Sequence, residues 1–95
     1  MPLVFEWDAK KANSNFRKHR VSFDEACTVF DDPLAAIFVD DQWMDEMREI
    51  IVGHSIMRRL IVLCFTVRSD DLIRIISARS ATRRERSDYE NYLQK

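Results

Sequence analysis

Glycine is almost missing from this chain: Gly53 is the only one among 95 residues, and Pro2 and Pro33 are the only prolines. Turns must therefore be built largely from residues that resist positive φ. Cysteine is equally sparse. Cys27 and Cys64 lie far apart inside apolar patterns and lack the paired spacing of a zinc site, so buried free thiols are expected. No apolar run approaches the roughly 20 residues of a membrane span. The N-terminal MPLVFEWDAKK has no long apolar core of the signal-peptide kind. A cytoplasmic protein without membrane contact is the expectation.

Net charge is also nearly absent, at -1. A balance so close to zero argues against a nucleic-acid partner until it is resolved along the chain. Residues 1–20 carry two acids and five bases, residues 21–55 nine acids and one base, and residues 56–95 five acids and nine bases. Two basic ends flank an acidic middle, which makes an electrostatic site only if the fold brings the ends together. With 46% hydrophobic and 33% charged residues, the 95-residue chain has the composition of one soluble domain spanning 1–95.

Leu3, Phe5 and Trp7 alternate as a short strand that ends at Asp8, a good N-cap for a basic helix from about Ala9. Ala12, Phe16 and His19 or Arg20 keep helical spacing. Ser22-Phe23-Asp24-Glu25 has the pattern of a capping box, with Val21 as a staple to Ala26. Phe23, Ala26, Cys27 and Phe30 form the core face of that second helix, and Asp31-Asp32-Pro33 stops it. Four apolar runs follow at close spacing: LAAIFVDD, REIIVGHSI, RLIVLCFTVR and LIRIISAR. Their connections are too short for parallel crossovers, so they read as an antiparallel meander with Leu60 to Phe65 at the sheet centre. Gly53 falls mid-strand, where it weakens pairing unless a bulge or a close backbone approach requires it. The expected fold is α+β: one twisted antiparallel β-sheet, a four-strand meander plus a short N-terminal strand, with two N-terminal helices and one C-terminal helix.

The chemically suggestive stretch is Ile73 to Tyr92. Strand alternation puts Ile73, Ile75, Ser77 and Arg79 on one face. The period then changes, and Thr82-Arg83-Arg84-Glu85 forms a second capping-box pattern, so a helix begins near Ser80 to Thr82. An arginine at a strand end beside a helix N-terminus gathers donors and positive charge, as a phosphate requires. The plainer reading is a solvated face with pairs such as Arg86 and Glu90.

FEWD at 5–8, Asn15, Lys18 and His19, VSFDEA at 21–26, VFDDP at 29–33, Glu46 and Arg48, and RIISAR continuing to Tyr89 occur in an order that resembles the BrnT toxin family. The resemblance covers most of the chain. It implies a RelE-like fold and an endoribonuclease of a type II toxin–antitoxin pair, inhibiting translation and growth until neutralised. It further implies a BrnA-like ribbon-helix-helix antitoxin as partner, with DNA contact only through that complex. Members carry glycine after the lysine-histidine pair and in the turn between the central strands, where this chain has Arg20 and Met57-Arg58. Arg20 is therefore expected to end its helix by another route, and a two-residue hairpin with positive φ is not expected at 57–58.

RNA cleavage without metal needs a base for the 2′-hydroxyl, stabilisation of phosphorane charge, and an acid for the leaving oxygen. No metal-like constellation stands out, and Asp31, Asp32, Asp40, Asp41 and Asp45 read as turns and a solvated edge rather than Mg²⁺ ligands. No cofactor is expected. The catalytic candidates are Lys18, His19, Arg79, Arg83 and Glu85, His19 resting on the resemblance and otherwise reading as a helix C-terminal histidine. Glu85 is first a cap. Lys11, Arg48, Arg86 and Tyr89 are substrate-binding candidates, although Tyr89 also fits a core aromatic with a satisfied hydroxyl. His54 reads as a strand-surface residue, and Phe5 and Trp7 as core. The alternative function is a non-catalytic nucleic-acid-binding or partner-binding module.

Overall fold

The structure, a computed structural model, describes residues 2–40 and 47–94. Asp41, Asp45 and Glu46, which figure in the sequence reading, lie outside the described residues. The elements run β1 (Val4–Glu6), α1 (Ala9–His19), α2 (Phe23–Cys27), a 3-10 turn (Thr28–Asp31), β2 (Ala36–Asp40), β3 (Arg48–His54), β4 (Leu60–Ser69), β5 (Leu72–Ser80) and α3 (Arg83–Leu93). The α+β expectation holds, and the meander pairs as read, with β4 in the centre of the order β1-β5-β4-β3-β2. The N-terminal strand departs from the antiparallel expectation. It lies parallel to β5, pairing Val4 with Leu72 and Glu6 with Arg74, because α1 and α2 intervene and return the chain across the sheet.

One face of the sheet carries the main core. Ile51, Ile61, Leu63, Phe65, Ile73, Ile75 and Ala78 meet Val21, Phe23, Ala26 and Val29 from α2 and its flanking turns. Phe5 and Trp7 pack against this core as read, through rings 5.2 Å from Phe30 and 5.8 Å from Phe23 respectively. On the other face, among the described residues, α3 covers one end, where Tyr89 joins Ala36 and Leu60. Cys27 and Cys64 form no disulfide and are half-buried rather than buried.

A β-bulge corrects the reading of β5. Cys64 pairs with Ser77 but Phe65 pairs with Ile75, so Ile76 is an extra residue that shifts the alternation. Ile73 and Ile75 therefore face the helices with Ala78, while Ser77 and Arg79 face the open side. Arg79 does not end the apolar face formed by Ile73 and Ile75.

α1 is docked by one buried amide. Asn15 donates from Nδ2 to the Ala78 carbonyl at 2.7 Å and the Val21 carbonyl at 3.0 Å, and accepts at Oδ1 from the Ala78 N–H at 3.1 Å. Asp8 caps the helix as expected, accepting from Lys10 N–H at 2.8 Å. Ser22 caps α2 through Glu25 N–H at 3.0 Å, but the box is only half made. The Glu25 carboxylate turns instead to Ser55 Oγ, at 2.6 Å, and to Arg59 Nε and Nη2, with Nε at 2.9 Å.

That buried carboxylate explains the missing glycines. Arg20 and Arg58 both adopt left-handed backbone, with φ of 59° and 64°; Arg20 thus ends its helix as a glycine would, contrary to expectation, while the two-residue hairpin not expected at 57–58 is indeed not formed. Arg58 follows a turn closed by its N–H on the Ser55 carbonyl, giving a three-residue loop between β3 and β4. Arg59, held by Glu25, also donates to the Arg20 carbonyl at 3.0 Å, so one network braces both strained residues. Gly53, by contrast, has no positive φ and is needed for close approach. A Cβ there would lie 2.8 Å from Ala35 Cβ and 2.9 Å from Val29 Cγ1.

Opposite outcomes follow for two substitutions in chemical denaturation. Gly53→Ala should destabilise by about 1–3 kcal/mol through overpacking. Arg58→Gly should stabilise by about 1 kcal/mol through release of left-handed strain. Equal signs would refute this account of where glycine is needed.

Candidate active site

The open face carries Arg48, Ile50 and Val52 from β3, Val62 and Cys64 from β4, and Ser77 and Arg79 from β5, as the pairs Val52–Val62, Ile50–Cys64, Cys64–Ser77 and Val62–Arg79 require. Two adjoining clefts of about 300 and 250 Å³ share Ile50, Val62 and Arg79. Glu85, Asp88, Tyr89 and Phe38 complete the first, and Arg48, Asp40, Cys64 and Ser77 the second. An aliphatic floor thus lies between charged groups, with Arg79 at the junction.

Arg79 is gripped in parallel by Glu85, Nη1 to Oε1 at 2.7 Å and Nη2 to Oε2 at 2.8 Å. Glu85 can reach it because the strand ends at Ser80 and Thr82 starts α3 at once. Both halves of the Thr82–Glu85 capping box are made: Thr82 Oγ1 accepts from Glu85 N–H at 3.1 Å, and Glu85 Oε1 from Thr82 N–H at 2.9 Å. The Arg79 guanidinium holds the Glu85 carboxyl down to about 2, with the Thr82 N–H assisting and partial burial opposing. At neutral pH the carboxylate is charged but weakly basic. Side-chain exposures of 40% for Arg79 and 35% for Glu85 leave the pair open to solvent.

The remaining candidates are spread out. Arg83 and Arg86 are exposed on the first turns of α3. Tyr89 is buried and donates its hydroxyl to the Leu34 carbonyl at 2.9 Å, so its ring, not its hydroxyl, lines the cleft. Lys18 and His19 occupy the last turn of α1, where positive charge complements the helix dipole, and they line neither cleft. Lys11 is exposed on the first turn of the same helix. The two basic ends of the chain do come together, since Asn15 binds α1 to the residue before Arg79. His54 stands at the surface with its ring 6.0 Å from that of Tyr89 and Nδ1 3.7 Å from Asp32 Oδ2. Among the described residues, no group of three or more His, Cys, Asp or Glu is arranged to hold a metal ion.

The positioning roles of Asn15 and Glu25 were missed from sequence. A signal existed for Asn15: an amide three residues after Ala12 and four before His19 sits on the buried stripe of its helix. Glu25 looked like a cap because its N–H does fill that role. Nothing local revealed that its carboxylate would pair with Arg59, 34 residues away.

A small mixed sheet, with α1 and α2 on one face and a charged cleft beside α3 on the other, makes this an α+β protein. The chain is similar to the crystal structure of the Brucella abortus ribonuclease toxin, BrnT, with a TM-score of 0.64 and 22% identity, covering 87% of this chain and 99% of that one. A comparison with curated proteins gives no match. The family model described as "Ribonuclease toxin, BrnT, of type II toxin-antitoxin system" matches residues 7–85, and the chain belongs to that family.

Acid should weaken the site measurably. The folded Glu85 carboxyl titrates below its ordinary value of 4.5, so its stabilising contribution is complete above that pH and is lost as pH falls towards about 2. Glu25, lowered chiefly by Arg59, acts in the same direction. Thermal unfolding from neutral pH into this acid range should show a falling midpoint, and Glu85→Gln should make the fall shallower. An unchanged slope in that variant would contradict the assigned linkage.

Proposed function

We propose that this chain is an endoribonuclease that cleaves RNA on the open face of its sheet, needs no metal ion, and arrests growth until an antitoxin neutralises it. The observation that carries the reading is the place of the Arg79 guanidinium, on an open, largely aliphatic sheet face immediately before the N-terminus of α3. A guanidinium offers two parallel donors to phosphate oxygens whose charge grows in the transition state, a fork that lysine cannot reproduce. Arg48 lies across the adjoining cleft and Arg83 and Arg86 on α3, which extends cationic surface in both directions from Arg79.

In this reading Arg79 and Arg83 stabilise the reacting phosphate and Glu85 handles a proton. Arg48, Arg86 and Lys11 hold flanking phosphates, and the Tyr89 ring packs against the bound strand. Lys18 and His19, assigned to the reaction by the family resemblance, meet RNA where it passes the outer edge of β5 towards α1. The partner is a BrnA-like ribbon-helix-helix antitoxin acting in the cytoplasm, and it supplies any DNA contact.

Purified protein should cut RNA in EDTA and leave 2′,3′-cyclic phosphate or 3′-phosphate ends. Loss of cutting in EDTA, restored by Mg²⁺ with 3′-hydroxyl ends, would establish metal chemistry instead. Arg79→Ala should slow cleavage about 30- to 1,000-fold and Arg79→Lys somewhat less. Stability should fall by no more than about 1 kcal/mol, since the ion pair is partly exposed. Arg84→Ala, an exposed change beside the cluster, should cut like the wild type. In cells, induction should stop growth and co-expressed antitoxin restore it; normal growth with soluble protein present, or binding without cleavage, would favour a non-catalytic module.

A further inference from the structure

If Arg79 receives a phosphate on the fork of its two terminal nitrogens, those two donors must be available, yet both are already filled. The two Glu85 oxygens lie at 2.7 and 2.8 Å in the parallel geometry that a phosphate would adopt. This carboxylate is tied a second time, through the Thr82 N–H at 2.9 Å, so it can leave Arg79 without leaving the site. A partly exposed ion pair is a weak and exchangeable contact. The contrast within the same chain is the Glu25–Arg59 pair, whose carboxylate is only 6% exposed and which also braces backbone. Asp88 lines the cleft beside Glu85, and among the described residues Arg79 is the one cation that lines it, so an arriving anion gains most by taking its whole fork.

Resting on the ribonuclease reading above, we propose that Glu85 occupies the phosphate seat of Arg79 in the free protein, and that an RNA phosphodiester displaces it and so releases the base. Once displaced, the carboxylate loses the guanidinium that kept it weakly basic while its cap holds it within the cleft. It takes the proton of the ribose 2′-hydroxyl. The 2′-oxygen bonds to phosphorus, the bond from phosphorus to the 5′-oxygen breaks, and water protonates that leaving oxygen. The products are a 2′,3′-cyclic phosphate and a 5′-hydroxyl, and Glu85 returns its proton to solvent. The base is thus disabled until a phosphate is seated.

Glu85→Gln separates the two halves of the idea, because glutamine at the third helical position also closes a capping box and keeps α3 intact. Glu85→Asp keeps the charge on a side chain one methylene too short for the fork and serves as a second variant. Binding is read with inorganic phosphate and with a short 2′-deoxy oligonucleotide, which has no nucleophile to react, and folding by thermal unfolding. Both variants should bind these probes about two- to fivefold more tightly than the wild type. Arg79→Ala should lose the gain. Glu85→Gln should cut saturating RNA about 100-fold or more slowly, so that affinity and turnover move in opposite directions. Equal or weaker probe binding by both variants overturns the shared seat. Wild-type turnover in Glu85→Gln overturns the base. Tighter probe binding by the variants with no RNA cleavage even by the wild type retains the shared seat and removes the ribonuclease reading together with the base step.

Discussion

The fold depends on how β5 is finished beyond Arg74, where β1 stops pairing with it. An unpaired inner stretch of backbone would leave polar groups without partners. The Asn15 side chain supplies both a donor and an acceptor to Ala78, acting as one residue of a strand that is not there. Its second donor reaches the Val21 carbonyl and fixes the start of the turn into α2. A single amide, 8% exposed, therefore sets the position of α1 against the strand that presents Arg79.

Burial gives two chemically alike pairs different work. Glu25 and Glu85 each begin as the third residue of a helix and each meets an arginine. Glu25 sits at the bottom of the α2–hairpin junction, where an unmatched charge would be prohibitive, so its bonds to Arg59 and Ser55 are structural and permanent. They brace two arginines held in left-handed backbone. Glu85 keeps its cap and meets Arg79 at the surface, where solvent and other anions compete.

Much of this was legible in the chain. The order of elements, the central place of Leu60 to Phe65, the caps at Asp8 and Thr82 and the Phe5 and Trp7 core contacts all follow from local period and side-chain chemistry. What escaped depended on distance or on a change of register. The parallel setting of β1 is a tertiary choice that a three-residue strand does not encode. The left-handed state of Arg20 and Arg58 needed a carboxylate from α2. The site was partly readable: Arg79 and Glu85 do meet, but the sequence pattern could not distinguish a cap from a cap that also grips an arginine, nor place Lys18 and His19 outside the Arg79 clefts.

The bulge at Ile76 is a phase change written into one strand. Before it, odd-numbered side chains of β5 belong to the core; after it, they belong to the cleft. The strand can therefore be hydrophobic where it holds the molecule together and cationic where it faces solvent without changing direction or partner. It also makes the two faces of β5 depend on one residue, Ile76, staying outside the ladder. Were Ile76 drawn into the ladder as an ordinary paired residue, every side chain after it would change face, turning the guanidinium of Arg79 into the packed interior and leaving the methyl of Ala78 in the cleft; removing Ile76 outright would leave both where they are.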